Sequence, residues 1–355
     1  MKKTVSTLMI FACIVSASCT KETTSTENQS SAFTSSSADG RLGGGTTYIT
    51  KFGALINGED GDDKITVCGK MGVQYVRDAI ILESYAGKAP MFENYQSKGY
   101  KVLLNINSNH VSSGGSKQAS PFPTNMTSYK KSIESVLDKY VPEVAVIENE
   151  PANDGRYSGP IENYFTELRT AIDVCHARNI KVSEGSLNLT MVCILIYQNY
   201  VNQGLQAKAD AFADKALTSV NLRVAQGKGS DVMNAKLEKC QKMITAYKGM
   251  ALDFVNVHWY EPMGDNNDPN TASDGVAKEV ADFLLKQTGK AVLTNEFGQD
   301  NQSTSLISGM VNQFKLANFA YAIVFSGDGI SGAKPLHQNT NLLVNGVAYR
   351  DAIAK

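Results

Sequence analysis

Tryptophan is almost missing: the 355-residue chain has one, Trp259. A long cleft paved with indole rings is thereby disfavoured, and the 15 tyrosines have to supply most aromatic contacts to any ligand. A basic surplus is missing too. The 34 Lys and Arg side chains stand against 35 Asp and Glu, a formal net charge of −1, with no Lys/Arg run. This argues against nucleic acid as a partner. Zinc-like cysteine spacing is absent as well. The body holds Cys68, Cys175, Cys193 and Cys240, none in a CxxC or a His/Cys cluster. At least two of them read as buried small hydrophobes; a disulfide stays open, and its pairing cannot be deduced. The acidic stretches at 60–63 and 265–268 lack the EF-hand ligand order and read as a solvated turn and a loop. No short internal period is present, which excludes a solenoid.

The first residues read as an address. Lys2 and Lys3 give a positive start, 8–15 is a short apolar stretch, and Ser16-Ala17-Ser18 precedes Cys19. The apolar stretch is too short for a membrane span. The pattern resembles a bacterial lipoprotein signal, which implies lipidation of Cys19; an ordinary secretory signal is the alternative. Residues 20–45 are Ser/Thr-rich and close on Gly43-Gly44-Gly45. Such a segment buries too little apolar area to offset its ordering entropy and reads as a tether. The expected organisation is a signal at 1–18, a lipidated tether at 19–45 and a folded body at 46–355.

Eight apolar runs punctuate the body, at 48–56, 74–80, 101–106, 144–148, 181–184, 254–259, 291–295 and 321–325. Several are continuous rather than alternating, as strands buried on both faces are. Amphipathic stretches at 127–140, 161–178, 276–287 and 305–316 lie between them. Gly72, Gly99 and Gly289 stand where helix C-terminal glycines belong. Alternating strands and helices predict an α/β fold with a parallel sheet, and eight strands in this length predict a (β/α)8 TIM barrel. The fifth and sixth runs are too far apart for one crossover. Residues 191–251 therefore read as a helical insertion, with helices at 207–215 and 231–247.

Chemistry in such a barrel sits at the C-terminal ends of its strands. The second run ends Tyr75-Val76-Arg77, the third Asn105-Ile106-Asn107 with His110 shortly after. The fourth ends Glu148-Asn149-Glu150-Pro151, the sixth His258-Trp259-Tyr260-Glu261, the seventh Thr294-Asn295-Glu296-Phe297-Gly298. Acids set against apolar strand ends are costly unless paired or used. Two at one barrel mouth form the pair that glycosidic cleavage needs.

These strand ends resemble glycoside hydrolase clan A, the group that includes the family-5 cellulases and mannanases. Asn149-Glu150-Pro151 is similar to its fourth-strand motif, His258-Trp259-Tyr260 to its sixth and Asn295-Glu296 to its seventh. The tail at 345–350 is similar to its last helix. The resemblance implies a retaining β-glycosidase with Glu150 as acid/base and Glu296 as nucleophile. Arg77 and Tyr260 would hold Glu296, Asn149 would bind the sugar, and His258 would contact the sugar or tune the acid. Glu150 would then carry a raised pKa. Trp259 and Asn107 are further candidate sugar contacts, and Glu148 and Glu261 would point to helices or solvent. The clan's usual eighth-strand aromatic is replaced by Val324-Phe325-Ser326. The reading implies a carbohydrate substrate, no cofactor, no metal, no nucleic acid and a monomer that meets a membrane only through Cys19. A glycan-binding barrel without turnover, or a transglycosylase using the same residues, are the alternatives.

Overall fold

The computed structural model describes residues 49–109, 119–327 and 335–355. The expected signal, tether and Cys19, and also His110, lie outside them. Among the described residues eight parallel strands form the sheet: β1 (Lys51–Asn57), β2 (Tyr75–Ile81), β3 (Lys101–Asn107), β4 (Val144–Ile147), β5 (Lys181–Glu184), β6 (Phe254–Tyr260), β7 (Ala291–Gly298) and β8 (Tyr321–Gly327). Each pairs with the next in sequence, and β8 pairs with β1 from Lys51↔Tyr321 to Asn57↔Gly327. The sheet therefore closes on itself. The protein is the (β/α)8 barrel that the alternating runs predict.

Helices wrap the outside: α1 (Gly61–Met71), α2 (Pro90–Ser97), α3 (Met126–Leu137) and α4 (Ile161–His176), then α9 (Val276–Thr288), α10 (Thr304–Leu316) and α11 (Val344–Ile353). Four more intervene between β5 and β6: α5 (Leu189–Asn202), α6 (Gln206–Ala216), α7 (Ser219–Ala225) and α8 (Asp231–Lys248). This is the expected insertion. Its centre is α5, buried along Leu189 and Met191–Tyr197. A helix apolar on nearly every side must be enclosed, and α6, α7 and α8 enclose it.

Two cores result. Side chains alternating along the strands point inward, where Leu103, Val144, Val146, Phe254, Leu293, Tyr321 and Ile323 fill the barrel. The opposite faces pack against the helices. Gly72 and Gly289 end α1 and α9 with φ of 70° and 73°, a left-handed conformation that favours glycine. The acidic stretch at 60–63 is not a turn. Asp60 caps α1 by accepting from the Asp63 amide, and Asp62 and Asp63 lie in the first turn, where the helix dipole favours negative charge. All four cysteines of the body are buried and free, so the small-hydrophobe reading holds and no disulfide forms among them.

A candidate active site at the barrel mouth

Three local devices bring side chains to the C-terminal mouth. The first is backbone strain after β4. Glu148 and Glu150 have φ of 65° and 56°, rare for residues with a Cβ. The turn is anchored by the Glu150 amide, which donates to the Gly185 carbonyl at 2.7 Å. The second is a bulge in β7, where register shifts between Leu293 and Phe297. A bulge re-aims side chains. It lets Asn295 and Glu296, consecutive in sequence, both reach the mouth, while Phe297 packs outward on Phe314. The third is plain alternation along β6, which sets Asn256, His258 and Tyr260 on the inner face.

Glu296 is bonded from two sides. Arg77 donates to its Oε2 at 2.5 Å, and the Tyr260 hydroxyl donates to its Oε1 at 2.5 Å. Burial pushes this carboxyl up, but the charges of His258 and Arg77 and the Tyr260 hydrogen bond outweigh it, and the pKa falls to about 2. The Tyr260 phenol is pushed far up by burial and by the Glu296 charge, so it remains a donor. Arg77 is itself fixed: its Nε donates to Asn105 Oδ1 at 2.9 Å and its second terminal nitrogen to Asn149 Oδ1 at 2.7 Å.

Glu150 keeps different company. His258 Nδ1 lies 3.0 Å from its Oε1, and Arg156 Nε lies 3.1 Å from its Oε2. The same His258 nitrogen is 4.0 Å from Glu296, so one imidazole touches both carboxyls. Burial raises the Glu150 carboxyl, yet the His258 contact and the Arg156 charge bring it down to about 2. This corrects the expectation of a raised value. The reason lies in the hydrogen-bond pattern. Asn295 Oδ1 already accepts from Asn256 Nδ2 at 2.7 Å and lies 3.0 Å from His258 Nε2, so Nε2 must carry a hydrogen. The Nδ1 contact to Glu150 then needs one proton more. The two groups therefore share a proton across 3.0 Å.

Beneath the pair lies an amide scaffold that the strand-end reading missed. Asn295 Nδ2 donates to Asn105 Oδ1 at 2.9 Å, and the Asn295 amide donates to Asn256 Oδ1 at 3.1 Å. All three asparagines are buried. A polar residue at inward positions of apolar strands was the available signal. Arg156, in the loop after β4, carried none.

The expectation for the tryptophan changes, and that for the two glutamates is met on the helix side. Trp259 is fully buried and packs edge-on against Phe314 and Phe319 under the helices, with its Nε1 donating to Glu261. Its neighbours His258 and Tyr260 face inward, so alternation turns Trp259 out into the core. Glu148 turns toward the helices, beside Glu167 on α4. It is fully buried, accepting from the Ser108 amide and the Tyr157 hydroxyl, each at 2.7 Å. Asn107 closes β3, and its buried Oδ1 has no partner among the described residues. Phe325 is half-buried on β8, in register with Leu55. Among the described residues no group of three His, Cys, Asp or Glu side chains is placed to hold a metal ion.

No family model matches the sequence, and no curated protein matches it. Solved structures do match in fold. The chain is similar to a glucosidase from Croceicoccus marinus, with a TM-score of 0.58 and 11% identity over 87% of this chain and 68% of that one. It is similar to a GH128 subgroup II endo-β-1,3-glucanase from Sorangium cellulosum, with a TM-score of 0.50 and 12% identity over 85% and 98%. It is also similar to ZgEngAGH5_4 in complex with a cellotriose, with a TM-score of 0.50 and 12% identity over 86% and 96%. At these identities the likeness is one of fold.

Proposed function

We propose that this protein is a retaining glycoside hydrolase acting on β-linked glycans, with Glu150 as acid/base and Glu296 as nucleophile. One observation carries the reading: two carboxyls at the barrel mouth touch a single imidazole nitrogen, at 3.0 and 4.0 Å. Inverting enzymes hold their carboxyls apart by about 6.5–9.5 Å to admit a water, whereas retaining ones hold them about 5–5.5 Å apart. Oxygens that both approach one atom this closely lie no more than about 7 Å apart, which shuts out most of the inverting range and supports the short spacing. That the matched folds belong to a glucosidase and a glucanase supports a carbohydrate substrate.

The division of labour follows from the neighbours. Glu296, ionised and aimed by Arg77 and Tyr260, attacks the anomeric carbon and forms a glycosyl-enzyme. The glycosidic oxygen leaves with a proton from Glu150. Glu150 shares that proton with His258 Nδ1 across the 3.0 Å contact and delivers it as charge grows on the leaving oxygen. Glu150 then takes a proton from water, which resolves the intermediate and frees Glu296. Asn149 has its oxygen engaged by Arg77, so its –NH2 is the group offered to the sugar 2-hydroxyl. Phe325, half-buried on β8, offers an apolar floor in place of the missing eighth-strand indole.

The test is a panel of β-glucans, mannans, xylans and aryl β-glycosides, with product stereochemistry followed by NMR, on wild type and on Glu296→Gln. Retained configuration in the wild type and loss of turnover in the variant are expected. Inverted product removes the mechanism, and glycan binding without turnover replaces the enzyme with a lectin-like barrel. The lipoprotein-like start supports export and tethering at Cys19. Cys19→Ala is expected to abolish palmitate incorporation in cells; labelling unchanged by the substitution contradicts the anchor.

A further inference from the structure

A cleft of about 280 Å3 opens beside Glu150. Glu150, His258 and Tyr260 form its inner wall, and Glu296 is not among its lining residues. Its outer wall comes from the insertion: the link from β5 into α5, through Asn188 and Thr190, and Lys236 on α8. The position has a chemical meaning. The acid delivers its proton to the bridging oxygen, whose far substituent is the leaving group. The nucleophile approaches the anomeric carbon from the opposite side. A cavity that touches the acid and not the nucleophile therefore receives the departing half of the substrate.

The lining says what that half carries. Tyr260 is its one aromatic ring, and that phenol is bonded to Glu296, so stacking is not the main means of recognition. Besides Glu150 and its partner His258, one charged side chain lines the cleft, Lys236. Glu150 is already paired, with His258 and Arg156. Lys236 is not: it has no ion pair or hydrogen bond among the described residues, whereas on the same helix Lys239 is paired with Asp154 and Lys242 with Glu238. The cleft thus presents one uncompensated positive charge.

We propose that this cleft is the leaving-group subsite and that Lys236 selects a sugar bearing an anionic substituent, a carboxylate or a sulfate, in that position. The inference rests on the glycosidase reading. Its test uses matched β-linked oligosaccharides whose leaving sugar is neutral, a uronate or sulfated, with a dinitrophenyl glycoside as a substrate whose departure needs no subsite. Wild type is expected to prefer an acidic leaving sugar in kcat/KM, and the preference to fade with added salt. In Lys236→Gln the acidic-to-neutral ratio falls about three- to fivefold, the scale of one exposed charge pair. Lys236→Arg preserves the ratio, and so does Lys242→Gln, outside the cleft. The uronate and sulfate arms tell which anion is chosen. A wild-type preference for neutral leaving sugars, or a ratio unmoved by Lys236→Gln, overturns the proposal while leaving the glycosidase intact. No turnover of the dinitrophenyl glycoside or of any oligosaccharide overturns both.

Discussion

Glu150 and Glu296 carry the same functional group, and neighbours bring both to about 2, yet by different means. Glu296 is held by Arg77 and by the Tyr260 hydroxyl. Glu150 is pushed up by burial and brought down chiefly by its hydrogen bond with His258. This difference yields a pH prediction. In His258→Asn the charged partner is lost, so the Glu150 carboxyl is expected to titrate at higher pH, and the limb of the kcat/KM profile that reports it to move up with it. An unmoved limb in that variant removes His258 from the control of Glu150. The turn that presents Glu150 has its own weak point. A Cβ at Gly185 would lie 2.6 Å from the Ile147 carbonyl and 2.8 Å from that of Glu148, backbone that cannot step aside. Gly185→Ala is expected to lower stability by about 1–3 kcal/mol and to reduce kcat more than it raises KM. Calorimetry and steady-state kinetics check it; wild-type behaviour in both contradicts the close approach. At this scale the sequence was readable where function ends a strand: Arg77, Asn149, Glu150, His258, Tyr260 and Glu296 meet at one mouth. It was unreadable where a role depends on three dimensions. Nothing local distinguishes an inward Asn256 from an outward Trp259 except strand parity, and nothing local announces that His258 will meet Glu150.

The eight strands and the helices at 126–137, 161–176, 276–288 and 304–316 fall within a few residues of the apolar periodicity that predicts them. What escaped was the helix α1 behind its acidic cap, the short α2, and the irregular places. The β7 bulge breaks the period-two pattern, so strict alternation would have turned Glu296 away from the mouth. The contact between α4 and β4 hides another irregularity. Glu167 on α4 is fully buried beside Glu148 and Tyr129, and neither of its carboxyl oxygens has a well-formed hydrogen bond among the described residues. Burial, followed by the charge of Glu148, raises its pKa well above the usual range. Its folded value therefore exceeds its unfolded one. Above about pH 4.3 the unfolded chain releases this proton while the fold retains it, so stability falls as pH rises. Glu167→Gln keeps the shape and removes the titration. Its stability relative to wild type is expected to grow between about pH 5 and about pH 8, read as the difference in Tm. A difference that stays constant across that interval contradicts a protonated Glu167.

The barrel is not equally knit around its circumference. β1 and β8 pair along their full lengths, as do β2 and β3. β5 and β6 meet at Ser183↔Phe254, and the rest of that seam is carried by Leu187–Asn188 pairing with Val257 and His258. The insertion leaves the sheet at this same place. It returns there too, so the seam, α5 and the cleft beside Glu150 form one continuous region. Local opening takes place where backbone pairing is sparse, which ties the chemistry of Glu150 and His258 to a sparsely paired joint of the sheet. Amide exchange is expected to follow this order: fast along 183–190 and the facing half of β6, slow along β1, β2, β3 and β8. A bound oligosaccharide reaching the cleft should protect the seam and leave the β1–β8 joint unchanged, because a ligand stabilises only openings that expose its own contacts. Uniform protection around the barrel in the free protein would mean that the insertion braces the seam as firmly as a full ladder, and the cleft would then be rigid before any substrate arrives.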